Sequence, residues 1–269
     1  MAAEPEPTGR ARDDAAPEVS VIIPCLNEEQ NVPSVVARVR DLLAAADVSA
    51  EILIVDDCSD DYTFREAYLL AERWDDVIAL HKGLPRGIGN AVRFAIERAR
   101  GQVGVVVMGD GVDPLAAIPD MRDAIIDAGH DLVLLSRYLD PSDSASIPLT
   151  YRVYQAAYRR LLAFACDLPY KDATYAFRGF RLDFVRGLGL MSGGFEISPE
   201  MTLKTWTRGG SITELQGRQG RRIAGESKFL FSEQAVGYAR VAFQAYRDAR
   251  RSGRHRTRNW GALVRGRGA

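Results

Sequence analysis

The stretch between Val105 and Pro114 places two carboxylates directly after an apolar run of strand type. Asp110 and Asp113 are these carboxylates, and glycines flank Asp110. Hard cations such as Mg²⁺ or Mn²⁺ take oxygen ligands from one or two carboxylates and complete their shells with water and phosphate oxygens. The pattern therefore indicates a metal site that could hold a diphosphate. An ordinary strand-to-helix turn is the competing interpretation, because Asp-Gly pairs also form turns.

Polar residues also follow the first two predicted strands. Residues 24–28 (PCLNE) come after the first strand and residues 56–60 (DDCSD) after the second. Carboxylates gathered at one edge of a sheet repel one another, and a ribose, a base and a metal would give them a reason to be there. For Asn27, Asp57 and Ser59 the competing interpretation is helix capping, which these residue types favour. Three such residues on one sheet edge favour a binding site.

The first half of the chain alternates short apolar runs with amphipathic segments. The runs predict strands at 19–24, 52–55, 77–80, 103–108 and 132–135, with helices near 29–46, 62–74, 88–100 and 115–128. Nearly all-apolar strands separated by helices indicate an α/β fold with a mainly parallel sheet covered by helices on both faces. The ligand crevice of such a fold lies at the carboxyl ends of the strands.

The second half of the chain is richer in arginine and aromatic residues. We predict a helix over 151–166 and a polar, aromatic turn over 172–181 that enters a short strand. A further helix and strand follow near 196–208 and 211–215. The segment 221–228 (RRIAGESK) places several cations beside a glycine and a serine, which indicates an anion site. A solvated basic loop is the competing interpretation.

The composition is that of an ordinary globular protein. The chain has 269 residues, of which 46% are hydrophobic and 26% charged, which suits either one large domain or one domain with an appendage. We predict a disordered leader at 1–18, a domain at 19–229, and an amphipathic helix with an arginine-rich tail at 230–269. No apolar run has the character of a signal peptide or a membrane span, so we expect a cytoplasmic protein. The 3 cysteines lack CxxC spacing and support neither a disulfide framework nor a zinc site.

The amphipathic helix predicted after Phe229 has three candidate partners. It would suit the body of the domain, a membrane surface, or another subunit of a homo-oligomer. The arginine-rich tail would suit a membrane surface or nucleic acid by charge alone. Nucleic acid is disfavoured, because the basic residues of the tail lack the interleaved aromatic side chains of a stacking surface.

Eight motifs occur in an order and spacing that resemble family 2 glycosyltransferases. Within that family they are most similar to the polyprenyl-phosphate transferases, such as the dolichyl-phosphate mannose synthases. The resemblance, from Val19 to about Phe229, rests on VIIPCLNEE, ILIVDDCSDD, RGIGNAVRFAIERARG, VVVMGDGVDP, LSRYL, LPYKDATYAFRGFR, FEISPEMTLK and RRIAGESK. It implies a GT-A fold, a nucleotide-sugar donor and a divalent metal, Mg²⁺ or Mn²⁺.

By position, the resemblance implies donor-binding roles at the strand tips. Pro24, Asn27 and Glu28 would edge the nucleotide pocket. Asp56 and Asp57 would face the base and ribose. These two acids would serve either guanine or uracil, so the donor is a GDP-sugar or a UDP-sugar.

The resemblance also implies which residues would hold the phosphates. Asp110 and Asp113 would form the metal and diphosphate motif. The groups that would cradle the donor diphosphate and an acceptor phosphate are Arg137, Arg152, Arg222, Ser227 and Lys228. Bidentate arginine contacts suit phosphate geometry. Two departures from the family pattern stand out: the acidic run GDGVDP is one residue shorter, and Leu135 replaces a glycine beside Arg137.

The implied reaction is an inverting transfer of a sugar to a phosphate acceptor, with polyprenyl or dolichyl phosphate as that acceptor. A phosphate is anionic at pH 7 and needs no general base, whereas a hydroxyl acceptor would need one, such as Asp172 or Glu196. The enzyme would meet the lipid at the cytosolic membrane face, directly or through a membrane partner. The alternatives are a soluble enzyme with a small-molecule acceptor and a non-catalytic nucleotide-binding subunit.

Substitution of Arg222 is expected to affect use of the acceptor and binding of the donor to different extents. Because the resemblance assigns Arg222 to the phosphate cradle, Arg222→Ala is expected to damage acceptor use far more than donor binding. Transfer rates with the acceptor varied, together with equilibrium donor binding, measure the two effects. Equal losses of both would contradict the assignment.

Overall fold

The computed structural model of the protein describes residues 15–140, 147, 149–218, 220 and 231–251. Seven strands in this part of the chain form one sheet. They are β1 (Val19–Cys25), β2 (Ala50–Asp56), β3 (Val77–His81), β4 (Val103–Val106), β5 (Leu132–Ser136), β6 (Arg178–Arg181) and β7 (Ile212–Gln216). Their order across the sheet is β3-β2-β1-β4-β6-β5-β7.

The helices cover both faces of this sheet. They are α1 (Val32–Ala45), α2 (Thr63–Arg73), α3 (Ile88–Arg98), α4 (Ile118–Ile126), α5 (Leu149–Cys166), α6 (Leu182–Arg186), α7 (Ile197–Thr207) and α8 (Phe231–Arg251). The helix predicted near 29–46 begins only at Val32, where Pro33 suits the first turn. The helix predicted near 115–128 is divided into a short 3₁₀ turn at Leu115–Ala117 and α4. None of the helices in the described ranges is long and apolar enough to cross a bilayer.

The sheet is mainly parallel, as predicted, but β6 runs antiparallel to both of its neighbours. Arg178 at the start of β6 pairs with Val106 at the end of β4 and with Leu134 near the end of β5. The turn that precedes β6 therefore enters the sheet at the edge where the parallel strands end. This insertion was not predicted from the sequence, and it brings residues 172–177 beside the acidic turn.

Alternate residues of each strand point to opposite faces and build two separate cores. Val21 and Ile23 of β1 pack with α1, α2 and α4 on one face. Ile22 packs with α3, α6 and α7 on the other face. A third cluster joins α5 to α8, with Tyr158 and Tyr238 in contact. The apolar side of α8 thus packs on the body of the domain, one of the three partners considered for it.

Gly104 of β4 packs against Phe180 of β6, and substitution of this glycine tests how closely the two strands fit together. A Cβ atom at Gly104 would overlap the ring of Phe180, which is fully buried. Gly104→Ala is therefore expected to lower the free energy of unfolding by about 2 kcal/mol, measured by urea denaturation. Gly83→Ala is the control, because a Cβ there meets nothing within 4 Å. A similar loss in both variants would contradict the tight fit.

Candidate active site

The loops after β1 and β2 are joined to each other through side chains. The backbone N–H of Asn27 donates to Ser59 Oγ at 2.9 Å, and Asn27 Oδ1 accepts from the backbone N–H of Asp60 at 2.8 Å. Asn27 has a φ of 52°, a left-handed conformation that asparagine adopts more easily than most residues. The backbone N–H of Glu28 donates to Thr63 Oγ1 at 2.7 Å. Asn27 and Ser59 therefore link two strand tips, and the helix-capping interpretation was wrong for both.

Asp56 and Asp57 are both buried and both have protein partners. Asp56 Oδ2 lies 2.8 Å from Nδ1 of His81, and its Oδ1 accepts from the backbone N–H of Ser59. Asp57 Oδ1 lies 2.7 Å from Nζ of Lys82, and its Oδ2 accepts from the backbone N–H of Gly87 at 2.6 Å. The two acids thus organise the loops around the predicted nucleotide pocket.

The N-terminal end of α3 packs against the backbone of residues 192–194. Its Gly89 N–H donates to the carbonyl of Gly193 at 2.9 Å, and a Cβ at Gly87 or Gly89 would overlap the backbone of residues 192–194. Glu200 holds that segment by accepting from the N–H groups of residues 191 and 192. The glycines therefore allow close packing at the start of α3.

The acidic turn after β4 is organised around Asp113. Its Oδ2 accepts from the backbone N–H of Met108 and its Oδ1 from the hydroxyl of Tyr175, both at 2.7 Å. Burial raises the pKa of the Asp113 carboxyl to about 7. Asp110 Oδ1 accepts from the backbone N–H of Val112 at 3.3 Å. Asp113 thus anchors the turn that presents Asp110.

These residues fit a metal that is held jointly with a phosphate ligand. The described residues contain no cluster of three or more His, Cys, Asp or Glu side chains able to hold a metal. Mg²⁺ is commonly bound by one or two carboxylates together with water and substrate phosphates, without a cage made wholly of protein. Asp110 and Asp113 are the carboxylates at this edge. Both oxygens of Asp113 accept hydrogen bonds from the protein, and Asp110 lies in the same turn.

Arg137, just after β5, forms a buried ion pair with Asp172. Its Nε lies 2.7 Å from Asp172 Oδ2, and its Nη2 lies 3.1 Å from Oδ1. The guanidinium also stacks 4.3 Å from the ring centre of Tyr175. Burial disfavours the charge on Arg137, but the ion pair outweighs burial and raises the pKa of Arg137. Arg137, Tyr175 and Asp113 therefore form one connected network.

Arg178 is a residue of the site region that was not predicted. It is buried and donates to the carbonyls of Tyr175, Ser198 and Ala173 and to the hydroxyl of Thr202. Burial lowers its pKa to about 10. It locks the turn that carries Asp172 and Tyr175. The signal in the sequence was an arginine between two phenylalanines, a charge inside an apolar strand.

Of the remaining predicted phosphate-binding residues, Arg152 belongs to the part of the chain that the structure describes. Arg152 is exposed on α5, and the Arg159 guanidinium lies 5.4 Å from the ring centre of Tyr138. The backbone N–H of Gly220 donates to the carbonyl of Val112 at 2.7 Å. Gly220 thus lies beside the acidic turn. The predicted residues of that segment lie outside the described residues: Arg222, Ser227 and Lys228.

Comparison with known proteins decides the family. A family model described as Glycosyl transferase family 2 matches residues 20–189. The chain belongs to this family. It is therefore an enzyme, a glycosyltransferase, as the motifs predicted.

Two relatives of this glycosyltransferase are named for lipid-phosphate acceptors. A dolichol-phosphate mannosyltransferase of Pyrococcus furiosus is 30% identical over 215 residues, which cover 78% of this chain and 59% of that protein. An undecaprenyl-phosphate mannosyltransferase of Micrococcus luteus is 30% identical over 217 residues, which cover 78% of this chain and 86% of that protein. The chain thus spans less than two thirds of the Pyrococcus furiosus relative.

A solved structure shares the fold of this glycosyltransferase. Glucosyl-3-phosphoglycerate synthase from Mycobacterium tuberculosis, in complex with Mn²⁺, UDP and phosphoglyceric acid, superposes with a TM-score of 0.62 at 17% identity. The match covers 87% of this chain and 78% of that one. The likeness confirms the predicted GT-A fold.

Two arginines of β6 allow a matched test of the lock formed by Arg178. Arg178→Met leaves three buried carbonyls without their donor, so the free energy of unfolding is expected to fall by about 3 kcal/mol. Arg181→Met removes partly exposed ion pairs with Asp131 and Asp183 and is expected to cost about 1 kcal/mol or less. Urea denaturation measures both. Equal losses of unfolding free energy in the two variants would show that Arg178 does not hold the turn in place.

Proposed function

We propose that this glycosyltransferase moves a hexosyl group from a GDP- or UDP-sugar to a phosphate acceptor, which is a polyprenyl phosphate such as dolichyl phosphate. The observation that carries the proposal is the pairing of both candidate bases with arginines at a site edged by further arginines. The names of the Pyrococcus furiosus and Micrococcus luteus relatives support the same acceptor class. The proposal places the enzyme at the cytosolic face of a membrane as a peripheral protein.

The two candidate bases are both engaged. Asp172 is held by two nitrogens of Arg137. Glu196 Oε1 lies 3.5 Å from Nη2 of Arg240 and accepts from the N–H of Gly194. A hydroxyl acceptor needs a base within hydrogen-bond reach of its proton, and both oxygens of Asp172 already accept hydrogen bonds from Arg137 and Thr174. A phosphate acceptor needs no such base.

In the proposed reaction, an acceptor phosphate oxygen attacks the anomeric carbon of the donor in line. The new bond forms as the bond between that carbon and the donor diphosphate breaks, and its electron pair leaves with the nucleoside diphosphate. The configuration at the anomeric carbon inverts. The chain must therefore stabilise the charge that builds up on the diphosphate.

Donor binding is assigned to the first three strand tips. Pro24, Asn27 and Glu28 edge the nucleotide pocket, and Asp56 and Asp57 face the base and ribose. The hydrogen bonds between the β1 and β2 loops support this assignment, because they hold the pocket in place before the ligand arrives.

Phosphate binding is assigned to the acidic turn and the surrounding cations. Asp110, with Asp113 behind it, would hold Mg²⁺ or Mn²⁺, which would offset negative charge on the leaving diphosphate. Solved structures of the Mycobacterium tuberculosis synthase in complex with UDP and Mn²⁺ or Mg²⁺ suggest the same pairing of metal and diphosphate. The cations and the hydroxyl assigned to the phosphates are Arg137, Arg152, Arg222, Ser227 and Lys228.

Release of nucleoside diphosphate tests the proposal directly. The full chain is incubated with Mg²⁺ or Mn²⁺ and a panel of GDP- and UDP-sugars, each with and without a short-chain polyprenyl phosphate. One donor is expected to give release that depends on both metal and lipid phosphate. Asp110→Asn is expected to reduce that release about 100-fold, because it removes a carboxylate facing the diphosphate.

A second variant separates the two acids of the turn. Asp113→Asn is expected to lower the free energy of unfolding by about 2 kcal/mol as well as activity, because it disturbs the contacts to Met108 and Tyr175. Asp110→Asn keeps an oxygen that can accept from the N–H of Val112, so it is expected to cost about 1 kcal/mol or less. Release stimulated by a small phosphorylated acceptor instead of the lipid would overturn the lipid acceptor. Donor binding without any release would identify a non-catalytic subunit.

A further inference from the structure

Helix α5 carries an exposed apolar face. The side chains of Leu149, Val153 and Phe164 are 71%, 62% and 81% exposed, and Leu161 is also exposed. Their spacing places them on one side of the helix, within about 120° of arc at 100° per residue. Isolated exposed apolar residues are ordinary on protein surfaces, whereas a continuous face of them indicates an interaction site.

The fold of the domain accounts only for the opposite side of α5. There Tyr158, Leu162 and Cys166 are buried against α8. The hydroxyl of Tyr158 donates to the backbone carbonyl of Tyr238 on α8. Helix α5 is therefore apolar on two sides, and packing within the described part of the chain uses one of them.

The charge of α5 selects the kind of partner. Its sequence contains three arginines and neither aspartate nor glutamate. Arg152 and Arg160 are exposed; helical spacing places Arg152 beside the apolar face and Arg160 among its residues. A second copy of this chain, docked face to face, would bring like charges together. Anionic lipid head groups would attract these arginines while the apolar side chains enter the interface between head groups and acyl chains.

We propose that the outer face of α5 docks on a bilayer that contains anionic phospholipid. This inference rests on the proposed function and deepens it, because it identifies the surface through which the enzyme would reach a lipid acceptor. Arg159 on the same helix contacts Tyr138, the residue after Arg137. The helix that would face the bilayer therefore also contacts the loop that carries Arg137, through a residue on its side turned away from the exposed apolar residues.

The membrane-binding surface is therefore assigned to α5, in place of the later helix that was one candidate from the sequence. Tyr238 and Val241 of α8 are buried against the domain. Val236 and Phe243 of α8 remain 76% and 62% exposed. They match the exposed residues of α5 in type and provide a control on the neighbouring helix.

Vesicle flotation with the full chain tests the docking surface. The probes are phosphatidylcholine vesicles and vesicles of phosphatidylcholine with phosphatidylglycerol, both without polyprenyl phosphate. The wild type is expected to bind the anionic vesicles several-fold better. The double substitution Val153→Ser and Phe164→Ser is expected to reduce that binding roughly tenfold or more, because it removes two large apolar side chains. The substitutions Val236→Ser and Phe243→Ser are expected to leave binding within about twofold of the wild type.

Further measurements exclude loss of folding and self-association. Circular dichroism and urea denaturation of both double variants establish that they fold, and Phe164→Leu is expected to retain most of the vesicle binding. Equal loss in the α5 and α8 variants would overturn the proposal. A wild-type dimer in light scattering that becomes a monomer in the α5 variant, without any vesicle binding, would also overturn it and assign the face to a second copy.

The outcome is distinguishable from the outcome for the proposed reaction. Vesicle binding through α5 without transfer to polyprenyl phosphate would leave the docking surface standing and overturn the lipid acceptor. Transfer to a short, detergent-dissolved polyprenyl phosphate without vesicle binding would do the reverse.

Discussion

The buried ion pair between Arg137 and Asp172, stacked on Tyr175, is the interaction on which the candidate active site depends. It joins the tip of β5 to the turn before β6, and the hydroxyl of Tyr175 carries the connection to Asp113 in the acidic turn. A buried ion pair contributes little net stability, but the loss of one partner leaves an uncompensated charge and is costly. The pair therefore fixes geometry more than it stabilises the fold.

The antiparallel strand β6 makes this arrangement possible. Only a strand that begins at the edge where β4 and β5 end can bring Asp172 and Tyr175 to that edge. Arg178 holds the turn through backbone carbonyls, and Glu214 of β7 accepts from the N–H of Asp172 at 2.9 Å. The guanidinium of Arg178 tolerates burial because the carbonyl oxygens around it accept its hydrogen bonds. The buried charges of Arg178 and Asp172 therefore both support the turn that carries Tyr175.

The charged residues on the proposed donor side and on the proposed acceptor side of the site have different kinds of partner. Toward the proposed donor, the acids of the β2 tip have partners within the protein, since Asp56 contacts His81 and Asp57 pairs with Lys82. Toward the proposed acceptor, α5 brings arginines without any acid of its own. The first arrangement holds a pocket in place. The second leaves positive charge for a partner outside the described chain, which is the physical basis of the proposed bilayer contact.

The sequence by itself determined the parallel strands, the helices between them and the polar residues at the strand tips, because hydrophobic periodicity is local. It also predicted the family, since ordered motifs survive where overall identity is low. Only the tertiary structure decided that Asn27 and Ser59 clasp two loops, that β6 inserts between β4 and β5, and that Arg178 is a buried lock. It also decided that α5, which packs on α8 through Tyr158 and Leu162, leaves Leu149, Val153 and Phe164 exposed on its other side. Those outcomes depend on which distant segments pack together, and the residue pattern of a single segment does not reveal which segments it contacts.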